Sequence, residues 1–428
     1  MTRSAALAQT FRRRVATLTG AILIGLVALA FAYMADAAQR AFAGFAVSFS
    51  WTTLFLTPCG FAALVWLTRR CAPDARGSGI PQVIGAAQFH QPELSPMLSL
   101  KTAAFKLVMT IAGLLLGASS GREGPTVQIS AALMTAVHRL FGVPLSAAVV
   151  IAGGAAGVSA AFNTPLAGIA FAVEELASAY EQRLTLLVMA AVMIAGLVSL
   201  GLAGDYVYFG AQHETLSIQS GLLVIPIVAV IGGIGGALFS RVVLFVATGT
   251  AKILGPVRRH PVLFAASCGV IVAIIGIATG STWGTGYEPA RTLIEGASQP
   301  IWFAPSKFLA TLATAISGIP GGIFAPSLSV GAGLGGLLAP LFGGMPPGAI
   351  ALIGMTAYFV GVVRAPLTSV IIIMEMTDSH AMLLALFATA LIAEGVAAIV
   401  CKERLYHGLS KSFRPKADEN RADPVAKT

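Results

Sequence analysis

Three carboxylates stand out as candidates for chemistry because a long stretch of this 428-residue chain is otherwise free of acids. Across residues 98–179 the only acidic side chains are Glu123, Glu174 and Glu175. An ionisable group at the centre of a membrane-spanning helix costs at least about 2.5–3.5 kcal/mol and by default marks an ion or proton pathway. If this stretch is embedded in a membrane, these acids are the first functional candidates.

Glu123 lies in the segment Gly121-Arg-Glu-Gly-Pro125. Proline suits the first turn of a helix, so Gly124 and Pro125 predict that a helix begins here. The backbone N–H groups and the dipole at such a helix start attract anions, so the same place could hold either the carboxylate or a chloride ion. The alternative is a simple helix cap in which Glu123 pairs with Arg122.

Glu174 and Glu175 close an apolar helix. As one hypothesis, a carboxylate at this position takes up protons from the cytoplasm. The alternative is a solvated helix end with no role in transport.

The composition indicates the surroundings of these acids. Hydrophobic residues make up 56% of the chain and charged residues 11%, and the mean hydropathy is +0.84. Soluble domains carry about 25% charged residues. The composition therefore excludes a soluble enzyme, a disordered protein and a disulfide-stapled secreted domain, and predicts an all-α polytopic membrane protein.

The apolar segments are interrupted by stretches rich in glycine and proline, at 77–81, 121–126, 163–168 and 318–326. Irregular backbone at membrane depth is tolerated only where protein or a cavity covers it. We therefore expect broken helices that meet at a buried central site. Ser78 supplies a hydroxyl donor and Ile323 and Phe324 supply backbone N–H groups at these breaks. Lys106 is a lone cation in an apolar stretch, and it could equally be a lysine that snorkels to the membrane surface.

The chain also repeats itself. The pairs Pro125/Pro326, Gly153/Gly354, Pro165/Pro366, Leu166/Leu367 and Glu174/Glu375 all lie 201 positions apart. An odd number of crossings in each half would make the two repeats inverted in the membrane. We divide the chain into a basic cytoplasmic N-terminus (1–14), a single transmembrane domain (15–400, with halves of about 15–205 and 210–400) and a C-terminal helix with a polar tail (401–428).

The net charge of +9 is read as the positive-inside bias of cytoplasmic loops, which places both termini in the cytoplasm. No basic face with aromatic residues indicates nucleic acid as a partner. The four scattered cysteines and six histidines form no metal-binding pattern, and we expect no metal and no cofactor.

Two short patterns suggest enzymes and are set aside. Gly331-Ala-Gly-Leu-Gly-Gly336 fits a dinucleotide-binding fingerprint, but no strand precedes it. Gly117-Ala-Ser-Ser-Gly121 fits a nucleophile elbow around Ser119, again without a strand. An intramembrane serine hydrolase that uses Ser119 is therefore kept as an alternative function of a different class, an enzyme rather than a transporter.

Four motifs in order resemble the CLC family of chloride channels and chloride/proton antiporters, of the prokaryotic type without C-terminal regulatory domains. These motifs are Gly77-Ser-Gly-Ile-Pro81, Gly121-Arg-Glu-Gly-Pro125, Asn163-Thr-Pro-Leu-Ala-Gly168 and Gly321-Gly-Ile-Phe-Ala-Pro326. The resemblance runs from about Val15 to Tyr406. It implies the CLC-type fold, with two inverted-topology repeats whose broken helices meet at a central anion site.

The resemblance also implies roles for individual residues. Glu123 would be the external gating glutamate and Glu175 the internal proton-transfer glutamate. The chloride-binding residues would be Ser78, Ile323, Phe324, Tyr406 and Gly124, with Arg122 and Lys106 in support. Tyr406 depends on a short Leu-Tyr match, and Gln82 and Ile84 stand where some exchangers carry an acid.

The family resemblance implies that the protein is a homodimer in the inner membrane that couples chloride transport to proton antiport. The partners would be chloride, protons and the lipid bilayer, and the protein would not be an enzyme. The nearest alternative is a passive chloride channel on the same fold. A fluoride exporter is a further alternative, although serine at position 78 is the residue that goes with chloride in this family.

Overall fold

The computed structural model describes residues 3–88, 96–176, 182–204, 209–249 and 254–413. Its regular structure is helical, and the described residues contribute only two isolated β-bridges. The α-helices in this part of the chain are α1 (Arg3–Ser48), α2 (Thr53–Cys71), α3 (Ile80–Ala87), α4 (Leu100–Leu115), α5 (Glu123–Leu140), α6 (Ala147–Phe162), α7 (Pro165–Phe171), α8 (Gln182–Ala203), α9 (Ile218–Thr248), α10 (Gly255–Arg259), α11 (Pro261–Thr279), α12 (Tyr287–Ile294), α13 (Phe303–Ser317), α14 (Phe324–Leu338), α15 (Pro347–Val363), α16 (Pro366–Thr377), α17 (Leu383–Val400) and α18 (Leu405–Ser410).

The helices differ in how much of their surface is exposed. Within the described ranges, seven segments are long and apolar enough to cross a membrane. Large apolar side chains on the long helices face outward, among them Phe55, Ile218 and Leu384, which are 74%, 85% and 83% exposed. A soluble protein would not expose such a surface, so this is a multi-pass membrane protein.

The central helices α5, α6, α14 and α15 are buried almost throughout. Small residues let them approach closely, since a Cβ added at Gly335 or Gly354 would collide with the backbone of the facing helix. The apolar core therefore lies where these four helices pack.

The two halves repeat each other in backbone conformation as well as in sequence. Helix α6 ends at Asn163 with φ 58°, and α15 ends at Arg364 with φ 61°. The next residues, Thr164 and Ala365, have φ/ψ of −129°/82° and −125°/79°, and each precedes a proline that opens a helix. The 201-residue offset thus corresponds to a structural repeat.

Two glutamates hold the repeats together reciprocally. Glu174 accepts hydrogen bonds from the backbone N–H groups of Leu367 (3.2 Å) and Thr368 (2.7 Å) at the start of α16. Glu375 accepts the equivalent bonds from Leu166 (3.3 Å) and Ala167 (2.9 Å) at the start of α7. Each carboxylate satisfies N–H groups that have no partner within their own helix. Mutual contacts between equivalent positions indicate a local two-fold relation between the repeats, as inverted repeats would have.

Helix α1 begins at Arg3 and continues unbroken to Ser48, so the predicted boundary between the basic N-terminus and the first span lies inside one helix. The predicted C-terminal helix corresponds to α18, and the polar tail at 414–428 lies outside the described residues.

Candidate functional site

The glycine-rich breaks of both halves meet at one place. The backbone of Gly121 exchanges two hydrogen bonds with Gly322, at 2.8 and 2.7 Å, and these residues are equivalent in the repeat. Gly77 accepts a bond from Gly321 and donates one to Ile319. The starts of α3, α5 and α14 are therefore tied together, and their N-terminal N–H groups converge on a common region.

Ser78 and Tyr406 place two hydroxyl groups in this region. The Tyr406 side chain is fully buried, its ring lies 5.8 Å from that of Phe324, and its hydroxyl faces Ser78. Apart from this approach to each other, neither hydroxyl has a hydrogen-bond partner among the described residues. Unsatisfied buried hydroxyls are costly, so a pair of them beside helix starts fits an anion ligand. The structure thus brings together Ser78, Tyr406, Ile323, Phe324 and Gly124.

Gly124 is adjacent to Ser78, and a Cβ at this position would collide with the Ser78 hydroxyl and backbone. We expect Gly124→Ala to displace that hydroxyl and weaken chloride binding by about tenfold or more, since a hydrogen bond to a charged group contributes about 1.5–3 kcal/mol. Calorimetric titration of the purified protein with chloride measures this. Gly44→Ala is the matched control because nothing lies within 4 Å of its added Cβ. Unchanged affinity in Gly124→Ala would remove Gly124 and Ser78 from the anion site.

Lys106 and Gln82 hold the loop that carries Ser78. Lys106 is fully buried, and its Nζ donates to the carbonyl oxygens of Ala75 (2.9 Å), Arg76 (3.4 Å) and Gly77 (2.5 Å). The Gln82 amide donates to the carbonyls of Asp74 and Arg76, at 3.1 and 2.6 Å. Lys106 therefore does not snorkel to the membrane surface. Together with Gln82 it fixes the backbone of the loop at residues 74–77.

Glu123 is buried at the first residue of α5, and its Oε1 accepts a hydrogen bond from the hydroxyl of Tyr287. The backbone N–H groups of Glu123 and Ala325 also face the carboxylate. Arg122 instead contacts α1, where its Nη1 donates to Asp36 (2.5 Å) and to the Ala32 carbonyl (2.7 Å). The hydrogen bond of the Glu123 side chain is therefore made with Tyr287, whereas Arg122 acts on the carboxylate through its charge.

Glu175 is fully buried in a π-helical turn, Ala172–Leu176, so it is not a solvated helix end. Its Oε1 lies 3.3 Å from Nδ1 of His407, whose side chain is 35% exposed. Tyr406 is within electrostatic range of both buried carboxylates, Glu175 and Glu123.

A cavity of about 390 Å³ reaches the region of Ser78, Ile323 and Tyr406. Its lining includes Arg69 and Arg76 as well as Ser78 and Tyr406. Two fixed positive charges along an approach to uncharged hydroxyl and N–H donors favour the entry of an anion.

Arg364 positions the segment that carries Tyr406. Its guanidinium pairs with Glu394 at 2.9 Å and donates to the carbonyls of Cys401 (3.0 Å) and Lys402 (2.9 Å), just before α18.

The enzyme-like patterns have structural roles. Ser119 contacts Thr311 and Lys307, whereas His138, the histidine nearest to it in sequence, contacts Thr17 and Met134. Gly331 and Gly335 lie within α14, where they let it pack closely on α15. Neither the hydrolase nor the dinucleotide alternative is supported.

Comparison with known proteins gives the family. The profile of the family described as Voltage gated chloride channel matches residues 59–398, so the chain belongs to this family, the CLC proteins. The H(+)/Cl(-) exchange transporter ClcA of Yersinia pestis is 30% identical over 396 residues, which are 88% of this chain and 81% of that protein.

Solved structures agree on the fold. A slow cyanobacterial Cl-/H+ antiporter has a TM-score of 0.81 at 24% identity and covers 96% of this chain and 99% of its own. A CLC-type fluoride/proton antiporter has a TM-score of 0.78 at 21% identity, with the same coverage. The predicted CLC fold and family are therefore confirmed.

Four residues of the site were absent from the sequence prediction: Asp36, Tyr287, Lys307 and His407. Two of them carried a usable signal. Lys307 is 201 positions after Lys106, and Tyr287 follows Gly284-Thr-Gly286, which resembles Gly77-Ser-Gly79. Asp36 lies in an apolar helix without a motif, and His407 is marked only by its place after Tyr406.

Proposed function

We propose that this protein exchanges chloride for protons across the membrane, and that Glu123 is the gate. The observation that carries the proposal is the position of the Glu123 carboxylate. It is buried at the start of α5 and beside the N-terminal end of α14, and the next residue, Gly124, lies against Ser78.

The chemistry of a carboxylate at this position couples two ions. In its charged form it occupies a place that an anion would occupy. Once protonated it is neutral, is no longer attracted to the helix starts, and yields the place to chloride. Since the same group carries the proton and blocks the anion, each proton transferred permits chloride movement.

Glu175 would deliver protons between the cytoplasm and this gate. Its burial, its contact with the partly exposed His407 and its electrostatic proximity to Tyr406 support that role. Ser78, Gly124, Ile323, Phe324 and Tyr406 would bind chloride, with Lys106 and Arg122 holding the loops on either side.

The test is uphill pumping. The purified protein is reconstituted into liposomes that contain high chloride, and the liposomes are diluted into low chloride at the same pH. As chloride leaves, the liposome interior should become more acidic than the medium. A passive chloride channel, the nearest alternative, would release chloride without moving protons against a gradient. Replacement of chloride by fluoride in the same assay separates a fluoride exporter, which would favour fluoride.

The proposal also covers the membrane in which the protein lies, the side on which its termini lie and its oligomeric state. The ClcA relatives are bacterial, which supports an inner-membrane location. Arg69, Arg70 and Arg76 at one end of α2, with Lys402 and Arg404 near α18, support a cytoplasmic position for both termini by the positive-inside rule. A homodimer in the lipid bilayer is proposed from the family resemblance, and light scattering of the solubilised protein measures it.

A further inference from the structure

The loop that carries Ser78 in the first half has a counterpart in the second half. Gly77-Ser-Gly-Ile80 corresponds to Gly284-Thr-Gly-Tyr287. Both loops place two glycines at positive φ, 64° and 112° in the first and 62° and 80° in the second. Each loop then opens a helix of eight residues, α3 or α12. The second loop is thus the inverted copy of an anion-site loop.

Each of these loops is held by a buried lysine at the equivalent position. Lys307 donates to the carbonyls of Thr282 (3.0 Å) and Gly284 (2.7 Å) and to the hydroxyl of Ser119 (3.0 Å). Its stem packs beside Gly286, where an added Cβ would collide with it. Three acceptors engage the ammonium group, so Lys307 acts as a fixed clamp on the start of α12.

The clamped loop presents Tyr287 to Glu123. The Tyr287 hydroxyl donates to Oε1 of Glu123, and its ring packs edge-on against Phe209 with centroids 5.2 Å apart. Because the loop backbone and the ring are both held, the hydroxyl is a pre-positioned donor. It adds no net charge, unlike Arg122, which is committed to Asp36 and Ala32.

We propose that Tyr287 is a latch, a positioning residue that keeps the charged Glu123 carboxylate in the closed position. This rests on the proposed role of Glu123 as the gate. A hydrogen bond to a carboxylate is stronger than one to a neutral acid, so it favours the charged, closed state. Protonation of Glu123 weakens the bond, and the side chain is then released from Tyr287.

The test is Tyr287→Phe, which removes the hydroxyl and keeps the ring. We expect chloride efflux from liposomes at neutral pH to rise about tenfold, because one charge-assisted hydrogen bond no longer favours the closed state. For the same reason the pH profile of chloride flux, which rises as Glu123 is protonated, should move by about one unit toward alkaline pH. A general loosening of the fold would not displace this profile.

Two controls make the result specific. Tyr358→Phe removes another buried tyrosine hydroxyl, one that has no hydrogen-bond partner in the described chain, and should leave flux and profile unchanged. In a Glu123→Gln background, Tyr287→Phe should add little, since residues that act through one contact are not additive. An equal increase in that background would mean that Tyr287 acts on the pathway itself and would overturn the latch.

Failure of the latch can be told from failure of the proposed function. If Glu123→Gln uncouples protons from chloride while Tyr287→Phe leaves flux and profile unchanged, the latch alone is wrong. If Glu123→Gln leaves the coupling intact, Glu123 is not the gate, and the proposed role of Tyr287 is then wrong as well.

Discussion

Replacing Glu123 by glutamine should leave chloride moving through the reconstituted protein while abolishing the proton movement that a chloride gradient drives. Glutamine has nearly the size of the protonated acid and cannot be deprotonated, so the anion position stays open and no proton is carried. The effect on coupling should be complete, because one carboxylate is proposed to perform both tasks. Paired recordings of chloride and pH from the same liposomes measure it.

Glu288→Gln is the matched control for this experiment. Glu288 lies in the first turn of α12, next to Tyr287, but its side chain is exposed. Neutralising it changes the local charge by the same amount without touching the anion site, so the coupling should persist. Chloride-driven proton uptake that survives in Glu123→Gln would refute the gate assignment.

The second large effect is expected at Glu175. Glu175→Gln should also stop proton transport while chloride continues to move, because this buried carboxylate is proposed to carry protons between His407 and the region of Tyr406. The chloride-binding groups are left intact, so chloride affinity should not change. The same liposome recordings, with chloride titration of the purified variant, separate the two effects.

The neighbouring residue offers a stringent comparison. Glu174→Gln changes the adjacent glutamate in the same helical turn, but Glu174 caps α16 and does not point at His407. We expect it to lower the thermal stability, since lost capping interactions cost about 0.5–2 kcal/mol, and to retain coupling. If Glu174→Gln uncouples transport and Glu175→Gln does not, the roles of the two acids are reversed.

The local parts of the site are predictable from the sequence because they depend on residues with few conformational options. Proline at position 125 or 326 is favoured in the first turn of a helix, and the glycines shortly before each one permit close backbone approach. The position of Glu123 at a helix start therefore follows from its immediate neighbours in the chain. The 201-residue offset indicates the repeat for a similar reason, since glycines and prolines at equivalent positions imply that the helices of the two halves are interrupted at equivalent positions.

The contacts that complete the site are not predictable in the same way. Tyr287 and Glu123 are 164 positions apart, and no property of either residue alone pairs them. The length of the first helix is likewise not set by a local signal, because α1 runs from Arg3 through the basic residues Arg12–Arg14 into the apolar stretch that follows. The single offset of 201 pairs Lys106 with Lys307, whereas Tyr287 emerges only when the two halves are compared loop by loop, because Gly77 and Gly284 lie 207 positions apart.

The reciprocal capping by Glu174 and Glu375 has a consequence for how the protein is made. When the first half has been synthesised, the N–H groups of Leu166 and Ala167 still await a carboxylate that lies 208 or 209 residues further along the chain. Unpaired backbone groups in a bilayer are costly, so the early half cannot reach its final form in the membrane by itself. We therefore expect a late step in biogenesis, in which insertion of α16 supplies the carboxylate that completes the start of α7.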